Sequence, residues 1–404
     1  MKIKDIGRVV TGKTPLTGVN EYYGGNIMFI SPSDLHGDYL IEKSEKTITE
    51  EGLKSIESNS IDGISVLTGC IGWDMGNVAM CNSRCATNQQ INAIIDFNHK
   101  LVDPRYVYYW LKGKKDYLFS IASVTRTPIL SKSVFENIDI PLPSLKIQER
   151  VTKLLSLIDE KIRKNHQIND YLEEMAKTIY DYWFVQFDFP DKNGKPYKSS
   201  GGTFKNGLPI GWNYVPIKNI CNILSGFSFQ SDDYVQNGKY KLLTIKNVQD
   251  TGINLDVDNY INILPENMPD FCKLDIGSIL MSLTGNVGRV GILYDSNCLL
   301  NQRVSLMQAK NPIMTPFIYC LLKSSKMRYI LESLATGTSQ KNLSPIEAGN
   351  IMIPYDSKIV KNFSKKVTPL IDSIITNLKE NNNLTNLREW LLPMLMNGQA
   401  TIEN

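Results

Sequence analysis

Apolar residues recur along this chain in two rhythms. Short apolar runs at 26–30, 63–67 and 91–95, and again at 241–245, 278–283 and 304–307, are bounded by Gly, Asn, Asp and Ser, which predicts strands ending in turns. A stretch with helical spacing at 105–118 accompanies the first set, and one at 316–331 the second. From Val151 the rhythm lengthens. Val151, Leu154 and Ile158, then Ile168, Leu172, Met175, Ile179 and Tyr182, form a seam that predicts a helix over 147–184, roughly 57 Å long at 1.5 Å per residue. A second seam, Val367, Leu370, Ile374, Leu384, Leu391 and Leu395, follows with Arg388 as a polar departure opposite Leu172. Pro393 predicts a kink or an end there, because proline removes a backbone donor.

The two sets are copies of one another. Ile3-Lys4-Asp5-Ile6 with Thr11-Gly12 matches Ile217-Lys218-Asn219-Ile220 with Ser225-Gly226, and Leu67-Thr68-Gly69-Cys70-Ile71-Gly72 matches Leu283-Thr284-Gly285-Asn286-Val287-Gly288. Asn88-Gln89-Gln90-Ile91 then matches Asn301-Gln302-Arg303-Val304, Leu130-Ser131 matches Leu343-Ser344, and Asn137-Ile138-Asp139-Ile140-Pro141 matches Asn350-Ile351-Met352-Ile353-Pro354. Five landmarks in the same order, 211 to 216 residues apart, mark a duplication. The expected fold class is therefore α+β: two tandem mixed domains, 1–144 and 213–355, each followed by a long helix, 145–187 and 356–404. Between them, 188–212 holds Pro190, Asn193-Gly194, Pro196 and Ser199-Ser200-Gly201-Gly202, a linker by composition. Each seam has a polar interruption, Lys161 with Asn165 and Asn377 with Asn381. These are either solvated positions or equivalent asparagines that meet across a two-helix coiled coil and fix its register.

Composition narrows the chemistry. With 404 residues, 42% hydrophobic and 21% charged, the chain is long enough for two or three cores. No run reads as a membrane span or a signal peptide, so a cytoplasmic location is expected. Seven cysteines without a CxxC pair fit reduced thiols, and Cys81 and Cys85 have no nearby His to complete a metal set. Three histidines and no phosphate loop, nucleophile elbow, zinc-protease motif or amino-methyltransferase tetrad argue against a catalytic chain, one that binds a cofactor or metal of its own. Asp159-Glu160-Lys161 resembles the acidic end of a nuclease site, but it lies on the helical seam.

A duplication favours two equivalent contacts on a partner that also repeats, as double-stranded DNA does. Net charge leaves the question open at +3: residues 1–144 hold 15 basic and 16 acidic side chains, and 213–355 hold 12 and 11. Phosphate and base contact would need local clusters. The candidates are Lys13, Thr14, Arg84, Arg126, Thr127 and Lys132 in the first copy, and Lys246, Arg289, Arg303, Ser339, Gln340 and Lys341 in the second.

Ile138-Asp139-Ile140-Pro141-Leu142-Pro143 with Gln148-Glu149-Arg150, Leu208-Pro209-Ile210-Gly211-Trp212, and Leu392-Pro393-Met394-Leu395-Met396-Asn397-Gly398-Gln399 together resemble the specificity subunit of type I restriction–modification enzymes. The chain departs from that pattern at Pro354-Tyr355-Asp356-Ser357, which leaves the start of the second helix open. The resemblance implies two target-recognition domains, each reading half of a bipartite DNA site. It implies helices that pair antiparallel, set the spacing and dock two modification (methyltransferase) subunits carrying S-adenosylmethionine, with restriction/motor subunits joining for cleavage. Chain reach alone also permits a parallel pair, since a linker of about 24 residues spans about 80 Å. A duplicated coiled-coil adaptor that binds protein instead of DNA explains the repeat and the near-neutral charge equally well.

Overall fold

The apolar runs build the same sheet twice. The computed structural model describes residues 1–124, 126–337 and 341–400. In the first copy β1 (Arg8–Thr11), β2 (Ile64–Gly69), β3 (Val78–Asn82) and β4 (Ile91–Ile95) form an antiparallel sheet in the order β1-β4-β2-β3. In the second, β5 (Cys221–Ser225), β6 (Ile279–Ser282), β7 (Val290–Ile292) and β8 (Val304–Ala309) repeat it as β5-β8-β6-β7. All of β4 is buried, because successive side chains face opposite cores. Ile94, Val66 and Met80 join one core, while Ala93, Ile95, Leu67 and Cys81 join another. A smaller sheet accompanies each, with a parallel pair, Met28 to Cys85 in one and Lys241 to Cys298 in the other.

The helical stretch expected at 105–118 is two helices, α1 (Pro104–Lys112) and α2 (Lys115–Ser120), broken at Gly113 and Lys114. Its counterpart is α4 (Thr315–Lys323) and α5 (Ser325–Leu334). That break falls at Ser324, whose hydroxyl accepts from the Met327 amide at 3.3 Å and so starts the next helix. The long helices are α3 (Leu145–Tyr180) and α6 (Ser357–Met396). Asp356 sets the start of α6 by accepting from the Lys358 and Ile359 amides, both at 2.9 Å.

By contacts the chain divides into two units, residues 1–164 with those from 381 onward, and residues 165–380, so each unit takes part of both long helices. In the first unit Val151 and Leu155 of α3 share a core with Leu392 and Leu395 of α6. There Asp159 pairs with Arg388 at 2.5 Å, and Asn381 Nδ2 donates to the Ile162 carbonyl at 3.3 Å. In the second unit Ala176 and Tyr180 share a core with Phe363, Val367 and Ile371. There Asn165 Nδ2 donates to Glu380 at 2.7 Å, and Asn377 Nδ2 to Asn169 Oδ1 at 2.8 Å. In both units partner numbers on α6 fall as those on α3 rise.

Three sequence expectations change. Asn165 and Asn381 are buried, which removes the solvated reading of those positions. Ile168, Met175 and Tyr182, expected in the seam, are exposed; Val151 and Ile158 of that seam are buried, together with Leu155, Ile162, Asn165, Asn169 and Ala176. The helix does not stop at Pro393. It runs on to Met396 in spite of the backbone donor that Pro393 lacks, and Gly398, with φ 68°, follows its end. The linker is itself packed: Phe189 stacks on Tyr197 and Trp212 at centroid distances of 4.8 and 5.2 Å.

Candidate nucleic-acid interface

Gly12 follows β1 where no other residue fits. A Cβ there would lie 2.1 Å from the Asn88 carbonyl oxygen and 2.2 Å from Thr87 Oγ1. Its counterpart Gly226 meets the Asn301 carbonyl oxygen at 2.2 Å. In each copy the Thr/Ser-Gly landmark is thus pressed against the Asn-Gln landmark. The Thr-Gly turn joins them. Gly72, at φ 105°, donates its amide to the Pro128 carbonyl at 3.0 Å, and the Leu130 amide returns a bond to Cys70 at 2.9 Å. In the second copy the Gly285 amide donates to the Lys341 carbonyl at 2.7 Å and the Leu343 amide to Leu283 at 2.8 Å. The Thr/Ser-Gly, Thr-Gly, Asn-Gln and Leu-Ser landmarks are therefore gathered at one end of each four-stranded sheet, past the end of its first strand and the start of its last, while the Ile-x-x-Ile and Ile-x-Ile-Pro landmarks bond each other before the first strand.

The candidates divide by their relation to these loops. Lys13 is exposed just after Gly12, and Thr14 Oγ1 bonds Gln89 Oε1 at 2.7 Å. Arg126 and Thr127 are exposed in the turn that leads to Pro128. Lys132 opens the short helix Lys132–Glu136 and lies 3.5 Å from Glu136. Arg84 stands apart: its hairpin follows Asn82, which pairs with Ile64 at the far end of β2, and its guanidinium meets Glu50 at 2.8 Å.

In the second unit Arg289 follows Gly288 and pairs with Asp250 at 2.8 Å. Lys246, paired with Asp258 at 2.8 Å, lines the same open cleft of about 590 Å³ with Asn286 and Ser282. Arg303 is exposed in the turn before β8, and Lys341 is exposed beside the Gly285 turn. Ser339 and Gln340 lie outside the described residues.

Sequence reasoning missed Trp73, 70% exposed with its ring 6.0 Å from Phe119. It also missed Lys115 and Arg328, which reach the same loops. The signal was the repeat itself: the 216-residue offset sets Trp73 opposite Arg289.

The nuclease-like triplet has a structural role. Asp159 accepts from the Tyr109 hydroxyl at 2.6 Å as well as from Arg388, and Glu160 is held by Tyr39 and, at 3.0 Å, by Arg163. Among the described residues no His, Cys, Asp and Glu cluster is arranged to hold a metal, and all seven cysteines are free and buried. Among the described residues no helix is long and apolar enough to cross a membrane.

The domain family described as "Type I restriction modification DNA specificity domain" matches residues 1–174 and again 209–386. The chain is 29% identical, along its whole length and 93% of the relative, to the type I restriction enzyme MjaIX specificity subunit of Methanocaldococcus jannaschii. It is 21% identical to the HindI specificity subunit of Haemophilus influenzae over 76% of this chain and 79% of that one. Its fold resembles the crystal structure of a type I restriction–modification S subunit from M. genitalium, with TM-score 0.57 and 16% identity over 98% of this chain and 95% of that one. These findings do not support the adaptor reading. With its duplicated sheets and doubled family match, the chain belongs to the type I restriction–modification DNA specificity family and supplies sequence specificity, not catalysis.

Proposed function

We propose that each recognition domain reads one half of a bipartite duplex target through its gathered loops, while α3 and α6 pair as an antiparallel coiled coil that fixes the spacing between half-sites. The observation that carries this is the similar convergence of the Thr/Ser-Gly, Thr-Gly, Asn-Gln and Leu-Ser loops in both copies, with different side chains mounted on one scaffold. Opposite stepping of the interhelical bonds supports the antiparallel pair, and buried Asn165 and Asn381 suit a register-fixing role.

As remaining partners we propose two modification subunits carrying S-adenosylmethionine and motor subunits for restriction, with a cytoplasmic site of action; the relatives' designation as restriction-enzyme subunits supports assembly into a restriction–modification complex. Repeat-equivalent apolar residues left exposed on the helices, Tyr171 on α3 and Leu387 on α6, suit two copies of one docking partner. No cofactor is assigned to this chain.

Methylation profiling of genomic DNA, with the chain and its modification partner present, tests the reading. Arg126→Ala is expected to relax sequence preference in one half of the methylated site and Lys341→Ala in the other. Equal effects on both halves refute two separate readers.

A further inference from the structure

In each unit one aspartate beside the gathered loops holds two basic side chains. Asp74, in the turn after Gly72, lies 2.9 Å from Lys115 Nζ and 2.8 Å from His36 Nε2. Asp250, in the turn between the short strands Val248–Gln249 and Gly252–Ile253, lies 2.8 Å from Arg289 Nη2 and 2.6 Å from Arg328 Nη1. Arg328 also meets Glu332 at 2.9 Å.

Lys115 and Arg328 are repeat equivalents. Each stands three residues before a fully buried leucine, Leu118 or Leu331, and each packs against its glycine turn. A Cβ on Gly76 would strike Lys115, and one on Gly288 would reach Arg328 Cγ at 3.8 Å. The aspartates are not equivalents. One comes from the turn after β2 and the other from a separate hairpin, so a carboxylate meets the equivalent cation twice from different sequence, with a histidine as the second partner of Asp74 and an arginine as that of Asp250.

Fold support accounts poorly for this, because exposed ion pairs add little to stability. Both aspartate side chains are open to solvent, 61% and 47% exposed. Burial works to raise both carboxyls, and hydrogen bonds from Lys115 and Arg328 outweigh it, so both stay charged at neutral pH. At a surface that meets phosphates, a fixed carboxylate cancels its cations and repels the DNA backbone.

Resting on the DNA reading above, we propose that Asp74 and Asp250 are built-in competitors for DNA phosphates. Each occupies basic side chains in the free chain and releases them only where matched base contacts hold the duplex in place. Non-specific affinity is thereby damped more than specific affinity. The balanced charge of each domain, 15 basic to 16 acidic and 12 to 11, has the same sense.

The test uses the chain in complex with its modification partner. Wild type, Asp74→Asn, Asp250→Asn and Asp250→Glu are titrated with a target duplex and an unrelated duplex of equal length, across a salt series. The Asn variants are expected to bind the unrelated duplex about tenfold tighter at about 50 mM salt, with a log–log salt slope steeper by about one to two. The target gains less, so discrimination falls, and Asp250→Glu behaves as wild type. Unchanged or weaker binding of the unrelated duplex by both Asn variants, while wild type still discriminates, overturns the proposal. Failure of wild type to discriminate overturns the DNA reading instead.

Discussion

Lys112 on α1 carries a charge in an unfavourable place. Its ammonium donates to the Tyr108 hydroxyl at 3.0 Å and lies 5.4 Å from that ring's centroid. Burial, reinforced by the Arg388 guanidinium, pushes its pKa down to about 8. In an unfolded chain a lysine titrates near about 10.4. Between those values the unfolded state binds more protons, so stability rises with pH across that window. The folded lysine is penalised below about pH 8 and relieved as pH climbs. Lys112→Met is expected to have the higher urea midpoint at neutral pH, with wild type closing the gap by about pH 10.4; a pH-independent difference refutes the assignment. Other single residues were legible only in part. Gly12 reads as a turn from sequence, but nothing local announces that the Asn88 carbonyl lies against it. Trp73 stayed invisible because an isolated tryptophan more often packs into a core than stands at a rim.

The long helices show where periodicity misleads. Their presence was legible from apolar spacing over 147–184 and from the second seam, but their inward face only in part: Val151, Ile158, Val367, Ile374 and Leu395 are buried as expected. The usual rule equates apolar with buried, whereas α3 buries Asn165 and Asn169 and exposes Ile168 and Met175. Polar groups can occupy that interior because each finds a partner on α6. The two units differ here. Asp159 and Arg388, only 2% and 11% exposed, form an ion pair in the first, where the repeat sets Ile375 and Leu172 in the second. Breaking a buried pair leaves an uncompensated charge. Arg388→Leu alone is expected to cost about 3–5 kcal/mol. Adding Asp159→Ile restores part of that loss, short of all because Tyr109 also donates to Asp159. Additive losses in a denaturation double-mutant cycle refute the coupling.

At the scale of the molecule the duplication was the most legible feature, because five ordered landmarks survive in both halves. It fixed the number of domains and the shared sheet. It did not reveal that several of the candidate cations are matched by carboxylates from neighbouring segments, as in Arg84 with Glu50, Lys246 with Asp258 and Arg289 with Asp250. Such pairings join residues distant in sequence through loops that differ between the copies, so no local pattern encodes them.

The repeat is linear, yet the contact units are not: the first unit takes the start of the chain and its end. Chain exchange between relatives therefore has two grammars. A crossover inside the 188–212 linker transplants Asp159 and leaves Arg388 behind, stranding a carboxylate where the recipient helix offers no base. A graft of residues 1–164 together with those from 381 onward carries both charges as one inheritable block. Chimeras of the second kind are expected to keep the parental melting temperature and those of the first kind to lose several degrees, unless the recipient already has a basic residue at position 388. The unit that recombination can move without repair is thus a pair of segments from opposite ends of the polypeptide.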